Sequence, residues 1–302
     1  MKASLERAWR PDFTLDMPDL LGPLRRGFAD PAFRREPTGA TWLAANTPAG
    51  PGTLLLRGSA GEVVAVAWGD GAELLLDGVP RLLGADDDSS GFRAHHPLVA
   101  DLRRRRPNLR LPSTGRVWDL LVASVLEQKV TGTEAHRSWR ELCRRFGTPA
   151  PGAPAGMFVP PSPDAVLAIQ DWEWHRAGVD LSRRKTIVLA AQVAHQLEKA
   201  VTVRGRPGRD LLRKVPGIGF WTAAEIAQRA WGDADAVSVG DFHIPSVVGY
   251  ALLGRKLDDA GMLEVLAPYA PHRQRVVRYL EASGIKRPRF GPRYSPRDYR
   301  EL

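Results

Sequence analysis

The chain has 302 residues, of which 43% are hydrophobic and 25% charged, an average composition for a globular protein. No segment approaches the roughly 18 uninterrupted apolar residues of a membrane-spanning helix, so we expect a soluble protein with no membrane partner. The single cysteine, Cys143, excludes an internal disulfide and an iron–sulfur cluster held by four cysteines.

The net charge of +9 is unevenly distributed along the chain. Residues 1–95 carry a net charge of −3, whereas residues 96–302 carry +12. A basic domain is typical of a protein that binds a polyanion, because neutralised phosphates release their counterions. Charge alone leaves DNA, RNA and an acidic membrane surface open as partners.

The first part of the chain predicts a small β-rich domain over residues 1–95. Residues 53–79 contain three short apolar runs separated by Gly-Ser-Ala-Gly and Gly-Asp-Gly, and this spacing indicates an antiparallel meander. The preceding segment, residues 11–27, predicts either another strand or a short helix.

From about residue 96 the apolar pattern becomes helical. Residues 115–147 predict two helices joined near Thr131–Thr133, and residues 182–200 predict a long amphipathic helix. Either Ser162 or Asp164 is expected to cap another helix. The predicted fold class is therefore mainly α, with a small N-terminal β-rich (α+β) domain.

We expect the helical domain to extend over residues 96–285, with a helix-hairpin-helix segment at about 208–231. A basic, proline-rich and irregular tail is expected over residues 286–302. Within the hairpin segment, Gly217-Ile218-Gly219 predicts a tight turn that leaves backbone N–H groups uncovered at the start of the second helix. Such a turn binds phosphate, although a bare Gly-x-Gly is more often an ordinary corner between helices.

The residues around this turn resemble the helix-hairpin-helix DNA glycosylases, and within them the 3-methyladenine DNA glycosylase II (AlkA-like) type. The resemblance rests on Pro216-Gly217-Ile218-Gly219, on Trp221-Thr222-Ala223, and on Asp241, which lies 25 residues after the proline. Two further matches are VLEQKVT at residues 125–131 and NLRLP at residues 108–112.

The resemblance implies a monofunctional DNA glycosylase of base excision repair. Such an enzyme flips an alkylated purine of the 3-methyladenine type out of duplex DNA and hydrolyses its N-glycosidic bond. Asp241 would be the catalytic carboxylate, because positive charge develops on the sugar as the bond breaks. Trp221, with Trp174 and Phe242 behind it, would shape the base pocket, since an aromatic face attracts a cationic base.

The resemblance also implies how the protein would hold DNA. Lys129 follows the glutamine of the VLEQKVT segment, where the family places the side chain that plugs the gap left by the flipped base. The expected DNA-binding residues are Gly217, Gly219, Thr222, Gln128, Lys129 and Lys214.

A tryptophan at position 221 decides between two chemistries. Relatives that also cut the DNA strand carry a lysine at this position, and its amine forms a Schiff base with the sugar. Lys214 lies before the turn and does not match that position. We therefore expect hydrolysis without AP lyase activity. Gly240 stands where some relatives carry a second acid, which leaves Asp241 as the single carboxylate.

No cofactor and no catalytic metal are expected, because the histidines lack paired ligand spacing. The resemblance leaves room for a monovalent cation at the hairpin carbonyls. The expected partner is double-stranded DNA, and we expect a monomer without an obligate protein partner. The start of the chain lacks the apolar run of a secretory signal, so we expect a cytoplasmic, bacterial-type protein associated with the nucleoid.

Several alternatives stay open at this stage. Asp241 is also placed to cap a helix, and Trp221 is equally suited to a core position. The same fold would act on deaminated bases, bulky alkyl adducts or crosslinks if a general acid were present, with Glu127 and His243 as candidates. A hairpin module that binds DNA without chemistry explains the charge but gives no reason for the position of Asp241.

Overall fold

The computed structural model describes residues 4–59, 61–285 and 298 of the chain. The strands over these residues are β1 (Leu5–Trp9), β2 (Phe33–Arg35), β3 (Thr41–Thr47), β4 (Gly50–Ser59), β5 (Glu62–Gly69), β6 (Thr148–Pro149) and β7 (Phe158–Val159). Two short 3₁₀ helices span Gly22–Leu24 and Ala267–Tyr269. The predicted tail over residues 286–302 lies outside the described residues, apart from residue 298.

The α-helices follow one another with short connections. In the first half they are α1 (Met17–Leu21), α2 (Ala72–Asp77), α3 (Val79–Leu82), α4 (Pro97–Arg105), α5 (Trp118–Leu126), α6 (Gly132–Phe146), α7 (Pro163–Leu167) and α8 (Asp171–Arg176). In the second half they are α9 (Leu181–Gln192), α10 (Ala194–Leu197), α11 (Ala200–Val203), α12 (Gly205–Leu212), α13 (Phe220–Ala230), α14 (Ile244–Leu253), α15 (Asp259–Leu266) and α16 (Arg273–Ala282). In the described part of the chain, no helix is both long and apolar enough to cross a bilayer.

The first five strands form one antiparallel sheet in the order β1-β5-β4-β3-β2. Leu54 and Leu56 of β4 pack on one side of this sheet in a core shared with α1, α2 and α3. Leu55 points to the opposite face and joins the core of the helical part. A sheet buried on both faces needs consecutive apolar residues, which explains why β4 does not alternate.

The predicted meander over residues 53–79 is correct for its first two apolar runs and wrong for the third. Residues 72–77 form helix α2 instead of a strand. Ala72, Leu75 and Leu76 are buried at a spacing of three and four residues, which is a helical and not a strand period. Residues 17–24 are helical, as one of the two predicted alternatives has it.

The helical predictions agree closely with the structure. Helices α5 and α6 meet at Thr131, which caps α6 through a reciprocal capping box with Glu134. Ser162, and not Asp164, caps α7. The predicted long helix over residues 182–200 is interrupted, because α9 ends at Gln192 and two short helices follow. The fold class is confirmed, whereas the domain boundaries stay a prediction.

The hairpin is formed by α12, the turn over residues 213–219, and α13. Ile218 is buried at the centre of the turn, with glycines exposed on either side. Gly217 has φ of +94°, a backbone conformation that other residues rarely adopt. A Cβ atom added there would lie 1.9 Å from Oγ1 of Thr186 on α9. The turn can therefore pack closely on α9 only with glycine at this position.

Replacing Gly217 with alanine is expected to destabilise the protein by more than the roughly 1–3 kcal/mol of the backbone strain alone, because the clash with Thr186 adds to it. Gly219→Ala is the matched control, since Gly219 has φ of −89° and its added Cβ meets nothing within 4 Å. Chemical denaturation of both variants measures the difference. Equal free energies of unfolding would contradict the packing argument.

Candidate active site

A cleft of about 710 Å³ opens between the segment around α1 and the helices α13, α14 and α16. The lining includes six carboxylates: Asp19, Glu127, Glu225, Asp233, Asp241 and Glu281. Five of them form an ion pair with an arginine: Arg106, Arg26, Arg229, Arg209 and Arg278 respectively. Across residues 4–59, 61–285 and 298, Asp241 is the lining carboxylate without a cationic partner. Its negative charge is therefore the uncompensated one in the cleft.

Neutral donors hold the Asp241 carboxylate in place. Its Oδ1 accepts hydrogen bonds from the backbone N–H groups of His243 at 2.7 Å and Ile244 at 2.9 Å. Its Oδ2 accepts one from the indole Nε1 of Trp221 at 3.0 Å. The first two bonds cap the start of α14, so the side chain has the helix-capping role as well as a place in the cleft. The bond from Trp221 fixes the orientation of the carboxylate group.

The three aromatic residues predicted for the base pocket lie in different environments. Trp221 is partly buried and contacts Asp241 through its N–H edge. Trp174 is only 1% exposed and belongs to the hydrophobic core, so its assignment to the pocket is wrong. Phe242 is 68% exposed and packs edge-on against the His243 ring. None of the three is part of the cleft lining.

The end of α5 contacts the hairpin directly. The side-chain Nε2 of Gln128 donates hydrogen bonds to the carbonyl of Gly217 at 3.0 Å and to Oγ1 of Thr222 at 2.7 Å. Thr222 is only 2% exposed. The assignment of Thr222 as a DNA contact is therefore wrong for its side chain, and the donating group of Gln128 braces the hairpin. The sequence signal placed both residues correctly near the turn, and the DNA contact of Gln128 stays a prediction.

The turn after α5 presents Lys129 to solvent. Lys129 is exposed and has φ of 55°, which is uncommon for a residue other than glycine. Strained backbone of this kind is concentrated at functional sites. The neighbouring residue, Gln128, links this exposed turn to the hairpin.

The hairpin exposes the groups that sequence analysis assigned to it. Gly217, Gly219 and Lys214 are all exposed. Gly219 occupies the N-cap position of α13, and no side chain among the described residues caps the first turn of that helix. Phe220, at the first position of α13, is 62% exposed and lies under the guanidinium group of Arg213 at 3.6 Å. Uncapped N–H groups at a helix start attract an anion.

Glu127 is not suited to be a general acid. Burial raises the pKa of its carboxyl group, but the Arg26 charge and a hydrogen bond with His136 outweigh that effect and lower the pKa to about 2. Both Oε atoms of Glu127 accept from Nη1 of Arg26, at 3.0 and 3.1 Å. The group is ionised near neutral pH and has no proton to give. His243, the other candidate, lines the cleft next to Asp241.

Several residues of the site were not found from the sequence. Arg25 and Arg26 reach the cleft from the loop before β2, and Gln274 reaches it from α16. Phe28, at the tip of that loop, is 94% exposed and stacks near the guanidinium group of Arg25 at 5.4 Å. An arginine pair beside an aromatic residue, RRGF, was the available signal, because interleaved cations and rings are typical of nucleic-acid contacts.

Over the described residues, no group of three or more His, Cys, Asp or Glu side chains is arranged to hold a metal ion. Cys143 is buried, and burial raises the pKa of its thiol well above the ordinary value. Such a thiol is a poor nucleophile.

Comparison with solved structures identifies the class of fold. The chain is similar to a 3-methyladenine DNA glycosylase from Archaeoglobus fulgidus, with a TM-score of 0.74 and 15% identity over 91% of this chain and 96% of that one. It is also similar to MBOgg1 in complex with a low-affinity DNA ligand, with a TM-score of 0.70 and 15% identity over 94% and 97% of the two chains. An 8-oxoguanine glycosylase/lyase from Clostridium acetobutylicum gives a TM-score of 0.68 at 12% identity, over 88% and 92%. The fold is that of the helix-hairpin-helix DNA glycosylases, as predicted.

Sequence comparison supports the AlkA-like type within that class. The chain is 30% identical over 187 residues to a probable bifunctional transcriptional activator/DNA repair enzyme AlkA of Mycobacterium tuberculosis. The match covers 59% of this chain and 35% of that protein, so the chain spans about a third of the length of the curated relative. No protein-family model matches the chain.

Replacing Glu127 with glutamine is expected to change how stability depends on pH. A carboxyl group with a lowered pKa in the folded state stabilises the protein above its ordinary pKa of 4.5, and this contribution is lost as the pH falls towards about 2. The wild type should be more stable than Glu127→Gln at neutral pH, by about 3 kcal/mol, and the difference should shrink between pH 4.5 and about 2. Urea denaturation across this range measures it.

Glu73→Gln is the control for this experiment, because Glu73 is exposed on α2 and far from the cleft. The free energy of unfolding of Glu73→Gln should follow that of the wild type across the same pH range. A difference between wild type and Glu127→Gln that does not vary with pH would contradict the role of the Arg26–Glu127 pair.

Proposed function

We propose that the protein is a monofunctional DNA glycosylase of base excision repair that hydrolyses the N-glycosidic bond of alkylated purines in duplex DNA. The observation that carries this proposal is the Asp241 carboxylate, which lines the cleft without a cationic partner among the described residues. The similarity to 3-methyladenine glycosylases and to AlkA supports the choice of substrate.

The chemistry follows from the charge of Asp241. Positive charge develops on the deoxyribose ring as the bond to the base breaks, and an ionised carboxylate beside that carbon stabilises it. The same carboxylate orients and deprotonates the attacking water. A guanidinium partner would cancel most of this effect, which is why the neutral N–H donors around Asp241 matter. Trp221 holds the carboxylate through its indole N–H.

The negative charge in the cleft also suits a base that is cationic before the bond breaks and leaves as a neutral molecule. An alkylated purine carries positive charge before the bond breaks and departs without protonation by the enzyme. The low pKa of Glu127 supports this choice, because a neutral deaminated base would need a general acid that Glu127 does not provide. His243 is the remaining candidate for that alternative.

The hairpin would hold the DNA backbone. Gly217, Gly219 and the uncapped start of α13 offer N–H groups to a phosphate, and exposed Lys214 adds a positive charge beside them. The carbonyl groups of Val215, Gly217 and Gly219 each accept one hydrogen bond and keep a second lone pair. These carbonyls fit a monovalent cation that bridges to phosphate, and no step of the reaction depends on it.

Lys129 would enter the gap that the flipped nucleotide leaves. Its position at the tip of a strained, exposed turn supports this role. The methylene groups of the side chain would fill the space of the base, while the ammonium group would reach a phosphate. Phe28 lies on the loop that packs against the same region, since Gly27 abuts His136 of α6 and Arg26 pairs with Glu127. We expect a monomer to contact double-stranded DNA through these elements.

A hairpin module that only binds DNA is the competing function. It accounts for Gly217, Gly219 and the basic charge of the helical part. It gives no reason for a cleft next to the hairpin or for a carboxylate in that cleft without an arginine. Asp241 therefore favours the enzyme over the binding module.

Replacing Asp241 with asparagine is expected to slow base release from methylated duplex DNA by at least about 100-fold, because the charge is lost while the shape is kept. The amide oxygen still accepts from the N–H groups of His243 and Ile244, so the melting temperature should change little. Asp164→Asn, at an exposed position of α7, is the control. Wild-type release by a folded Asp241→Asn protein would refute the catalytic assignment.

The absence of a lysine at position 221 predicts that borohydride does not trap a covalent complex between the protein and abasic or lesion-containing DNA. Hydrolysis leaves no Schiff base to reduce, so the product should carry an intact abasic site. Introducing the lysine, Trp221→Lys, tests the position itself, and covalent trapping by this variant alone is the expected result. Trapping by the wild type would show a lyase and overturn the argument from Trp221.

A further inference from the structure

Three polar atoms that belong to residues of the cleft lining have no hydrogen-bond partner in the described part of the chain. They are Nη2 of Arg26, Oε1 of Gln274 and Nε of Arg278. Gln274 is 2% exposed and Arg26 is 6% exposed, so neither residue is simply solvated. Buried polar atoms in folded proteins are nearly always paired, so each exception calls for an explanation, and a functional role is one of them.

The three residues come from two sides of the cleft. Gln274 and Arg278 are four residues apart on α16 and therefore share one face of that helix. Arg26 comes from the loop before β2 and is held by its ion pair with Glu127. Nη1 of Arg278 is likewise held by Glu281 at 2.8 Å. The ion pairs fix both guanidinium groups, while Nη2 of Arg26 and Nε of Arg278 have no partner among the described residues.

The unused atoms are one acceptor and two donors. A purine presents the complementary set on a free edge: adenine has its exocyclic N–H beside a ring nitrogen, and guanine has a ring N–H beside a carbonyl oxygen. Alkylation of adenine at N3 or of guanine at N7 leaves such an edge intact. A base that an alkyl bridge has closed, such as 1,N6-ethenoadenine, has lost every N–H donor of its edge.

We propose that Gln274, with Arg26 and Arg278, reads the free edge of the flipped base and selects alkylated purines that keep an N–H donor beside an acceptor. Oε1 of Gln274 accepts from the N–H of the base, and the two guanidinium groups donate to the neighbouring acceptor. Gln274 is thus a specificity-determining residue. This inference rests on the proposed glycosylase function.

The experiment measures single-turnover release of 7-methylguanine and of 1,N6-ethenoadenine from otherwise identical duplexes. The wild type is compared with Gln274→Leu, which removes the acceptor, and with Gln274→Glu, which keeps one. Gln192→Leu is the matched control, because Gln192 is exposed at the end of α9 and lies outside the cleft lining. The full chain is used throughout, and each variant is checked by thermal melting.

The ratio of 7-methylguanine release to ethenoadenine release is expected to fall about tenfold in Gln274→Leu, the effect of losing roughly one hydrogen bond. The ratio should stay high in Gln274→Glu and in the control. Gln274→Leu should melt no lower than the wild type, because it removes an unpaired buried acceptor. If Gln274→Leu does not fold, Gln274→Met takes its place in the assay.

An unchanged ratio in a folded leucine or methionine variant would overturn the inference, since an ordered water would then satisfy Oε1. A ratio that falls equally in Gln274→Glu would overturn it as well, because the effect would come from shape and not from the acceptor. Failure of the proposed function looks different: the wild type would then release neither base.

Discussion

Among the described residues, the one carboxylate of the cleft lining that is held by neutral donors and not by an arginine is Asp241, and the geometry of the candidate site depends on it. Asp241 receives two backbone N–H groups at the start of α14 and the indole N–H of Trp221. The bonds to the backbone tie its position to the packing of α14, and the bond to Trp221 ties it to the first turn of α13. Asp241 is distant from the hairpin turn along the chain, but these bonds hold it at a fixed position relative to the hairpin.

The arginines around the cleft pair with the other carboxylates and so leave Asp241 as the exception. Each of the other lining carboxylates has a guanidinium partner, so their charges contribute little to the field at the centre of the cleft. The pairs also order side chains from distant parts of the chain, as Arg26 and Glu127 join the N-terminal loop to the end of α5. Removing one partner of a buried pair such as Arg26–Glu127 is costly, because it leaves the other charge uncompensated. Over the described residues, Asp241 is therefore the one lining carboxylate without a cationic partner, and it is held in a defined position.

The sequence predicted the features that are local and failed for those that depend on distant contacts. The hairpin and the two helices around Thr131 follow from spacing, glycine conformation and helix caps, whereas Asp241 was singled out by the resemblance to the glycosylases. Trp174 was misplaced because neighbouring tryptophans in DWEWHR give no sign of which one turns inward, and the structure exposes Trp172 at 60%. Helix α2 was misread because its apolar run is too short to distinguish the two periods.

The role of Gln274 lay beyond sequence reasoning altogether. Its significance comes from an atom without a partner, and that property depends on Arg26 and Arg278 and on how α16 meets the loop before β2. Gln128 and Thr222 also show what the sequence cannot give, although here the motif located the residues. Their motif placed them at the correct turn, but only the structure distinguishes a residue that contacts a ligand from one that braces the element beside it.

The bracing by Gln128 has a consequence for how the two exposed turns behave. One amide group joins the turn that carries Lys129 to both the glycine turn and the first turn of α13. The two turns therefore cannot change their separation independently. In the proposed function, the distance between the phosphate held by the hairpin and the base position that Lys129 fills would be set before DNA binds. Because the spacing is preset, less loop entropy is lost when DNA binds. The spacing would also favour damaged sites whose backbone geometry matches it.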